Sequence, residues 1–232
     1  MKPLASETAR RAVKWTVAGV LMPAVVVLGA VVFREKYAAW LTLTMVLLAQ
    51  LLFFAGFEKR TVGSRRLVIA AVMTALSVLG RFVFAAIPGF KPITAMVVIT
   101  AIWLGGETGF LVGALTAVIS NFFFGQGPWT PFQMFAFGMI GLAAGLMAKP
   151  LQRSRVLLAL YGVLAGVVYS LVMDVWSVLW YSGGLNWGLY AAALVTALPH
   201  TAAYALSNAV FLLLLGRPFG EKLGRVKLKY GI

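Results

Sequence analysis

Cysteine is absent from this 232-residue chain, histidine occurs once, and acidic residues number six against twenty lysines and arginines. The first absence removes disulfides, thiolate nucleophiles and thiolate metal sites together. The others leave little for acid–base catalysis. Between Glu58 and Glu221 the carboxylates are Glu107 and Asp174, and His200 is the one imidazole. No phosphate-cradling Walker loop, HExxH metal motif or serine elbow occurs, so the chain carries no ATP-hydrolysing signature, no metal site and no cofactor motif. Charge of either sign is scarce, at 11% of residues, while apolar residues make up 62%. Such a composition excludes a soluble domain and points to an all-α polytopic membrane protein. A β-barrel is excluded because the apolar signal comes in long blocks, not in alternating segments of about ten residues.

What charge there is lies in clusters. The formal net charge is +14, but the basic residues gather at the ends of apolar segments on one side, a topology signal and not a nucleic-acid surface. Lys2, Arg10, Arg11 and Lys14 precede the uncharged stretch 15–33, which reads as a retained first helix because it lacks a small-x-small cleavage site. A polar turn at Arg34, Glu35 and Lys36 leads to a second apolar block, 37–57, so that residues 1–58 form a helical hairpin. The polar linker 58–66, EKRTVGSRR, separates it from a core over 65–232. Six segments are expected there: 67–87, a short and tilted or partly interfacial 92–105, 108–124, 132–148, 156–181, and 187 to about 215.

Eight crossings put both termini on one side. With that side cytoplasmic, sixteen of the twenty basic residues lie inside, leaving Arg34, Lys36, Arg81 and Lys91 outside. The basic tail after Leu215 then runs on the cytoplasmic surface, next to anionic lipid.

No charged residue occurs from Thr108 to Ala148, a run suited to two crossings. Its midpoint is the polar and aromatic island 121–133, NFFFGQGPWTPFQ, whose glycines and prolines mark a loop at the outer face. Trp129 and four phenylalanines offer flat apolar faces, and Asn121, Gln126 and Gln133 offer amides. That is the chemistry of a lid over a small molecule, although interfacial aromatic belts use the same rings. Asp174 stands in the outer third of an apolar helix, where a carboxylate costs about 2.5 to 3.5 kcal/mol at the helix centre and less nearer the interface, so it needs a partner. Arg81 is at similar depth, and either an Asp174–Arg81 ion pair or direct ligand contact answers that need. Trp176, Trp180, Tyr181, Asn186 and Trp187 add a face suited to a large ring-containing ligand. His200, Tyr204 and Asn208 share one helix face, open either to ligand contact or to interhelical hydrogen bonding. Ala71 and Ala75 form a small-xxx-small pair on the first core helix, the spacing that allows another helix to approach closely.

The stretches LVIAAVMTALSVLGRFVFAAIPGFKPITAMVVITAIWLG, GALTAVISNFFFGQGPWTPFQMFAFGMIGLAAGL and SNAVFLLLLGRPFGEKLGRVKLKYG resemble the substrate-binding S components of energy-coupling factor (ECF) vitamin transporters, over residues 65–232. The resemblance implies a six-helix binding protein for a vitamin-type micronutrient, working with a transmembrane coupling subunit and two cytoplasmic ATPases. It implies ligand capture near the outer face, and it matches Ala71 and Ala75 to the motif that contacts the coupling subunit. Ligand contacts are expected among Arg81, Asn121, Gln126, Trp129, Gln133, Asp174, Trp180, Asn186, His200 and Tyr204. The island is similar to that of cobalamin-type S components, while a wide aromatic pocket equally suits riboflavin. The hairpin is additional to the family plan. Two other classes compete: an intramembrane enzyme using Asp174 and His200, and a scaffold whose polar residues only join helices. No helix carries a row of charges, which argues against an ion channel.

Overall fold

The computed structural model describes residues 7–33, 38–55 and 60–231, and among these every regular element is helical. The hairpin begins with α1 (Glu7–Thr16), a π turn (Val17–Leu21), α2 (Met22–Leu28) and a second π turn (Gly29–Phe33). Pro23, in the first turn of α2, has no N–H for the helical ladder, and the wider turn just before it accommodates that loss. The polar turn expected at Arg34, Glu35 and Lys36 lies outside the described residues, as do residues 56–59 of the expected linker. α3 (Ala38–Ala55) returns. The core comprises α4 (Arg60–Val83), α5 (Ile93–Leu104), α6 (Gly106–Phe124), α7 (Thr130–Leu146), the short α8 (Ala148–Arg153), α9 (Arg155–Ser182) and α10 (Trp187–Tyr230).

Five helices are long and apolar enough to cross a membrane, and three shorter apolar ones accompany them. The linker expected up to Arg66 is helical from Arg60, and α4 stops at Val83, ahead of the expected 87. Local hydrogen bonds then carry the chain through a turned loop to Pro92. α5, the short segment expected to be tilted or partly interfacial, lies in the interior of the bundle. Every residue in it except Trp103 is buried, and α4, α6, α7 and α10 all pack against it. A helix that is apolar all round belongs in the interior.

The basic tail is the last part of α10. At about 1.5 Å per residue its 44 residues span roughly 66 Å, more than twice a hydrocarbon core, so its C-terminal part stands clear of the membrane.

α6 and α7 pack closely, through glycines. A Cβ at Gly113 would lie 2.7 Å from the Phe137 carbonyl carbon, and one at Gly141 2.7 Å from the Gly109 backbone. Without a hydrophobic driving force between helices in lipid, such close backbone approach supplies the packing energy. The hairpin lies on this pair: α3 contacts α6 and α7, with Met45, Ala49, Leu52 and Phe53 fully buried. An ion pair between Lys14 and Glu107, both mostly shielded, ties α1 to the start of α6. Glu107→Gln is expected to destabilise the protein by about 1 to 2 kcal/mol, between the ranges for exposed and buried pairs. In thermal melts of the two single variants and the double, Lys14→Gln added to Glu107→Gln should cost little more.

Candidate functional site

Chain alternation brings the C-terminal ends of α4, α6 and α9 and the N-terminal ends of α5, α7 and α10 to one end of the bundle, with the loops 84–92, 125–129 and 183–186. Most of the expected site residues meet there. The island proves largely helical: Asn121 sits in the last turn of α6 and Gln133 in the first turns of α7, leaving five residues as loop.

Asn121 is the hub. Its side chain is 1% exposed. It accepts at Oδ1 from Arg81 Nη1 (2.8 Å) and donates through Nδ2 to Thr130 Oγ1 (2.9 Å) and Gln133 Oε1 (2.7 Å). Arg81 Nη1 also donates to Ser120 Oγ at 2.5 Å, and the guanidinium lies 4.4 Å over the Phe124 ring. Gln133 Nε2 donates to the Tyr169 hydroxyl (3.1 Å), extending the network to α9. On its other side Tyr169 stacks against Phe137 (4.6 Å) and tilts against Tyr204 (5.1 Å), whose hydroxyl is hydrogen-bonded to Thr94 Oγ1 at 2.7 Å. His200 stacks on the same Tyr204 ring and lies against Gly89 of the first outer loop.

Gln126 holds the second loop, donating to the Val118 carbonyl (2.7 Å) and accepting from Thr130 (2.8 Å). Gly125 has φ +100°, a conformation that favours glycine, and a Cβ at Gly127 would lie 2.2 Å from the Trp129 ring. The indole therefore folds back over its own loop and meets Trp176 edge-on at 5.9 Å. Trp180 stacks on Trp176 at 6.2 Å.

Arg81 and Asp174 do not pair, and Asn186 has a capping contact. Arg81 bonds to α6 and makes no ion pair with Asp174; no such pair exists among the described residues. The α-helix is the reason: Asp174 lies about 200° around α9 from Trp176, and it lines a cleft of about 400 Å³ with Ser177, Tyr181, Ala193 and Thr196 instead. Its Oδ2 is buried there without a hydrogen-bond partner. Asn186 caps α10, its Oδ1 accepting from the Leu189 N–H at 3.0 Å, which satisfies one of the orphan donors of a helix start. Among the described residues no ion pair joins Asp174 and His200. Asn208, on the expected polar stripe, is fully buried with both amide atoms unpartnered.

A family model described as ECF-type riboflavin transporter, S component, matches residues 61–225. The chain belongs to this family. Comparisons with curated proteins and with solved structures give no match. The chain is thus a membrane-embedded substrate-binding component of a transporter, which is not an enzyme family. The family description names riboflavin, and the expected cobalamin type has no support in it. The matched residues begin at α4, so the hairpin of this S component lies outside them.

Among the residues of the outer cluster not expected from the S component's sequence are Lys91, Thr94, Tyr169 and Ser120. Lys91 carried a signal, being one of the few basic residues on the outer side. Its ammonium is 5.8 Å over the Tyr204 ring. Burial and the neighbouring Arg81 charge lower it from the usual lysine range to about 8. Its backbone N–H and carbonyl both bond to Ser207 Oγ, at 2.9 and 3.2 Å. Tyr169 had none, because nothing in an apolar helix marks which tyrosine will face a pair of amides. Among the described residues no group of three or more His, Asp or Glu could hold a metal ion.

Proposed function

We propose that this S component captures a vitamin with a flat fused ring at its outer end, riboflavin ahead of cobalamin, and delivers it through a coupling subunit driven by two ATPases. The observation that carries the reading is the joining of two kinds of surface at one end of the bundle. A wall of rings (Trp129, Trp176, Trp180, Tyr169, Tyr204) borders a hydrogen-bond network (Arg81, Asn121, Gln133), the combination a polar aromatic ligand needs. Arg81, Asn121, Gln133, Trp129, Trp180, His200 and Tyr204 are the ligand contacts in this reading, with Gln126 and Asn186 shaping the loops that border them and Asp174 facing its own cleft. The chain crosses the membrane eight times with both termini cytoplasmic, which keeps the basic ends of α9 and α10 inside.

Titration of purified protein with riboflavin, followed by quenching of flavin fluorescence, tests the reading. Saturable quenching is expected, with Trp129→Ala weakening it roughly tenfold, in the range for loss of an aromatic contact. Saturable binding of cobalamin with none of riboflavin would reverse the substrate assignment, and no saturable ligand at all would leave a scaffold.

Ala71 and Ala75 lie on an exposed face of α4 with Val68, Val72 and Leu79, and the hairpin, docked on α6 and α7, leaves that face open. In this reading it receives the coupling subunit. Ala71→Leu with Ala75→Leu should leave ligand affinity within about twofold while uptake by the assembled transporter falls tenfold or more, because bulk on a small-xxx-small face blocks helix approach.

A further inference from the structure

At the end of the bundle opposite the outer cluster, α5, α8, α9 and α10 enclose a cleft of about 290 Å³. Much of its wall is apolar, with Leu158 from α9 and Leu212 and Leu213 from α10. Arg155, Arg217 and Glu221 line the same cleft, together with Trp103, so two cations face one carboxylate and the lining carries a formal charge of +1. Arg217 Nε donates to Glu221 Oε1 at 2.9 Å, but both side chains are more than half exposed, and an exposed i,i+4 pair is weak enough to yield to a better anion. The Arg155 guanidinium makes no hydrogen bond or ion pair among the described residues, and the indole N–H of Trp103 makes no hydrogen bond among them either.

We infer that this cleft holds an anionic phospholipid, with its phosphate between Arg155 and Arg217 and an acyl chain along Leu158, Leu212 and Leu213. Donors without acceptors beside an apolar wall are the complement of an amphiphile with an anionic head. The place fits as well, because α9 begins here and α10 runs on out of the membrane. Guanidinium groups give paired N–H donors to phosphate oxygens, and basic pockets between transmembrane helices on the cytoplasmic side hold phosphorylated headgroups. A net charge of +1 matches a phosphodiester, whereas an ethanolamine headgroup brings an ammonium that both guanidinium groups repel. A soluble phosphate would use the donors and none of the leucines. The leaflet rests on the proposed orientation; the chemistry of the cleft does not.

Native mass spectrometry of the full chain in detergent micelles, titrated with phosphatidylglycerol or phosphatidylethanolamine of identical acyl chains, is the test. Phosphatidylglycerol is expected to occupy one site and to bind roughly fivefold or more tightly than phosphatidylethanolamine, the scale of one basic side chain near an anionic lipid. Arg155→Gln and Arg217→Gln should each weaken phosphatidylglycerol by about fivefold and leave phosphatidylethanolamine within about twofold. Both arginines are exposed, so neither change disturbs the packed interior. Lys222→Gln is the control for charge alone: Lys222 is exposed on the same helix but does not line the cleft, and its loss should alter neither lipid.

Equal or tighter retention of phosphatidylethanolamine overturns the inference. So does an equal loss of phosphatidylglycerol from Lys222→Gln, which would make the attraction one of diffuse surface charge. Soluble glycerol phosphate should not displace the bound lipid; displacement would make the cleft a site for a free anion and overturn the part played by the leucines. Riboflavin titration of the same variants keeps the two readings apart, since Arg155 and Arg217 stand at the far end of the bundle from the aromatic wall. Flavin binding should be unchanged in both, and a failure of flavin to bind leaves the lipid result standing.

Discussion

Arg81→Ala is expected to weaken ligand binding by about 3 kcal/mol, roughly 100-fold, the typical loss when one member of a buried charge-assisted contact is truncated. The guanidinium is the link between α4 and the α6–α7 end of the site. It holds Ser120 Oγ and Asn121 Oδ1, and Asn121 in turn orients Thr130 and Gln133. Without it, two acceptors at the buried hub lose their donor, which itself costs about 1 to 3 kcal/mol of stability. A thermal melt alongside calorimetry separates the effects. Arg81→Lys keeps the charge but cannot bridge both acceptors and still face a ligand; it should recover most of the stability and only part of the affinity. An Arg81→Ala variant that binds normally would remove Arg81 from the site.

The second large effect is expected in the packing beneath the site. A Cβ at Gly141 would meet the Gly109 carbonyl carbon at 2.7 Å and Val97 Cγ1 at 2.9 Å, where α5, α6 and α7 converge. Two of the contacting atoms are backbone and cannot swing aside, so Gly141→Ala should cost about 1 to 3 kcal/mol by overpacking. That corresponds to a Tm lower by about 4 to 8 °C for a cost of 2 kcal/mol. Gly141→Leu should prevent recovery of monodisperse protein. Gly184→Ala is the control, having no atom within 4 Å of the added carbon. Because α6 carries Asn121 and α7 carries Gln133, any separation of these helices also parts their amides at the outer end. Gly141→Ala should therefore weaken ligand binding more than a change of equal stability cost in the hairpin. Equal losses from both would mean that the α6–α7 approach does not set the site.

The sequence by itself determined the membrane class, the helical segments and the family. Scarcity of charge and long apolar runs force the backbone to satisfy its own hydrogen bonds, and in lipid that means helices. The island 121–133 announced itself because amides are rare in a run with no charge, and Asn121, Gln133 and Trp129 meet where the chain turns. Segment ends came within a few residues except at α1, which begins at Glu7 ahead of the expected 15, and at α4 and α10. The basic residues of α10 look like a tail, yet the helix runs on through Pro218 because Gly220 packs against Trp103 and Leu223 is buried, and packing more than propensity holds a helix in a protein.

Partnership was decided only by the tertiary structure. Depth along two helices made Arg81 and Asp174 look like a pair, but rotation about the helix axis sends them to different neighbours, and rotation is set by packing. The same packing placed α5 at the centre, docked the hairpin on α6 and α7, and set Gly141 against Gly109. It also gathered Arg81, Lys91, Tyr169 and Tyr204 from three helices and a loop. Periodicity records which face of each helix is polar or small. Which faces meet depends on interlocking side chains far apart in sequence, and that information exists only once the helices are packed.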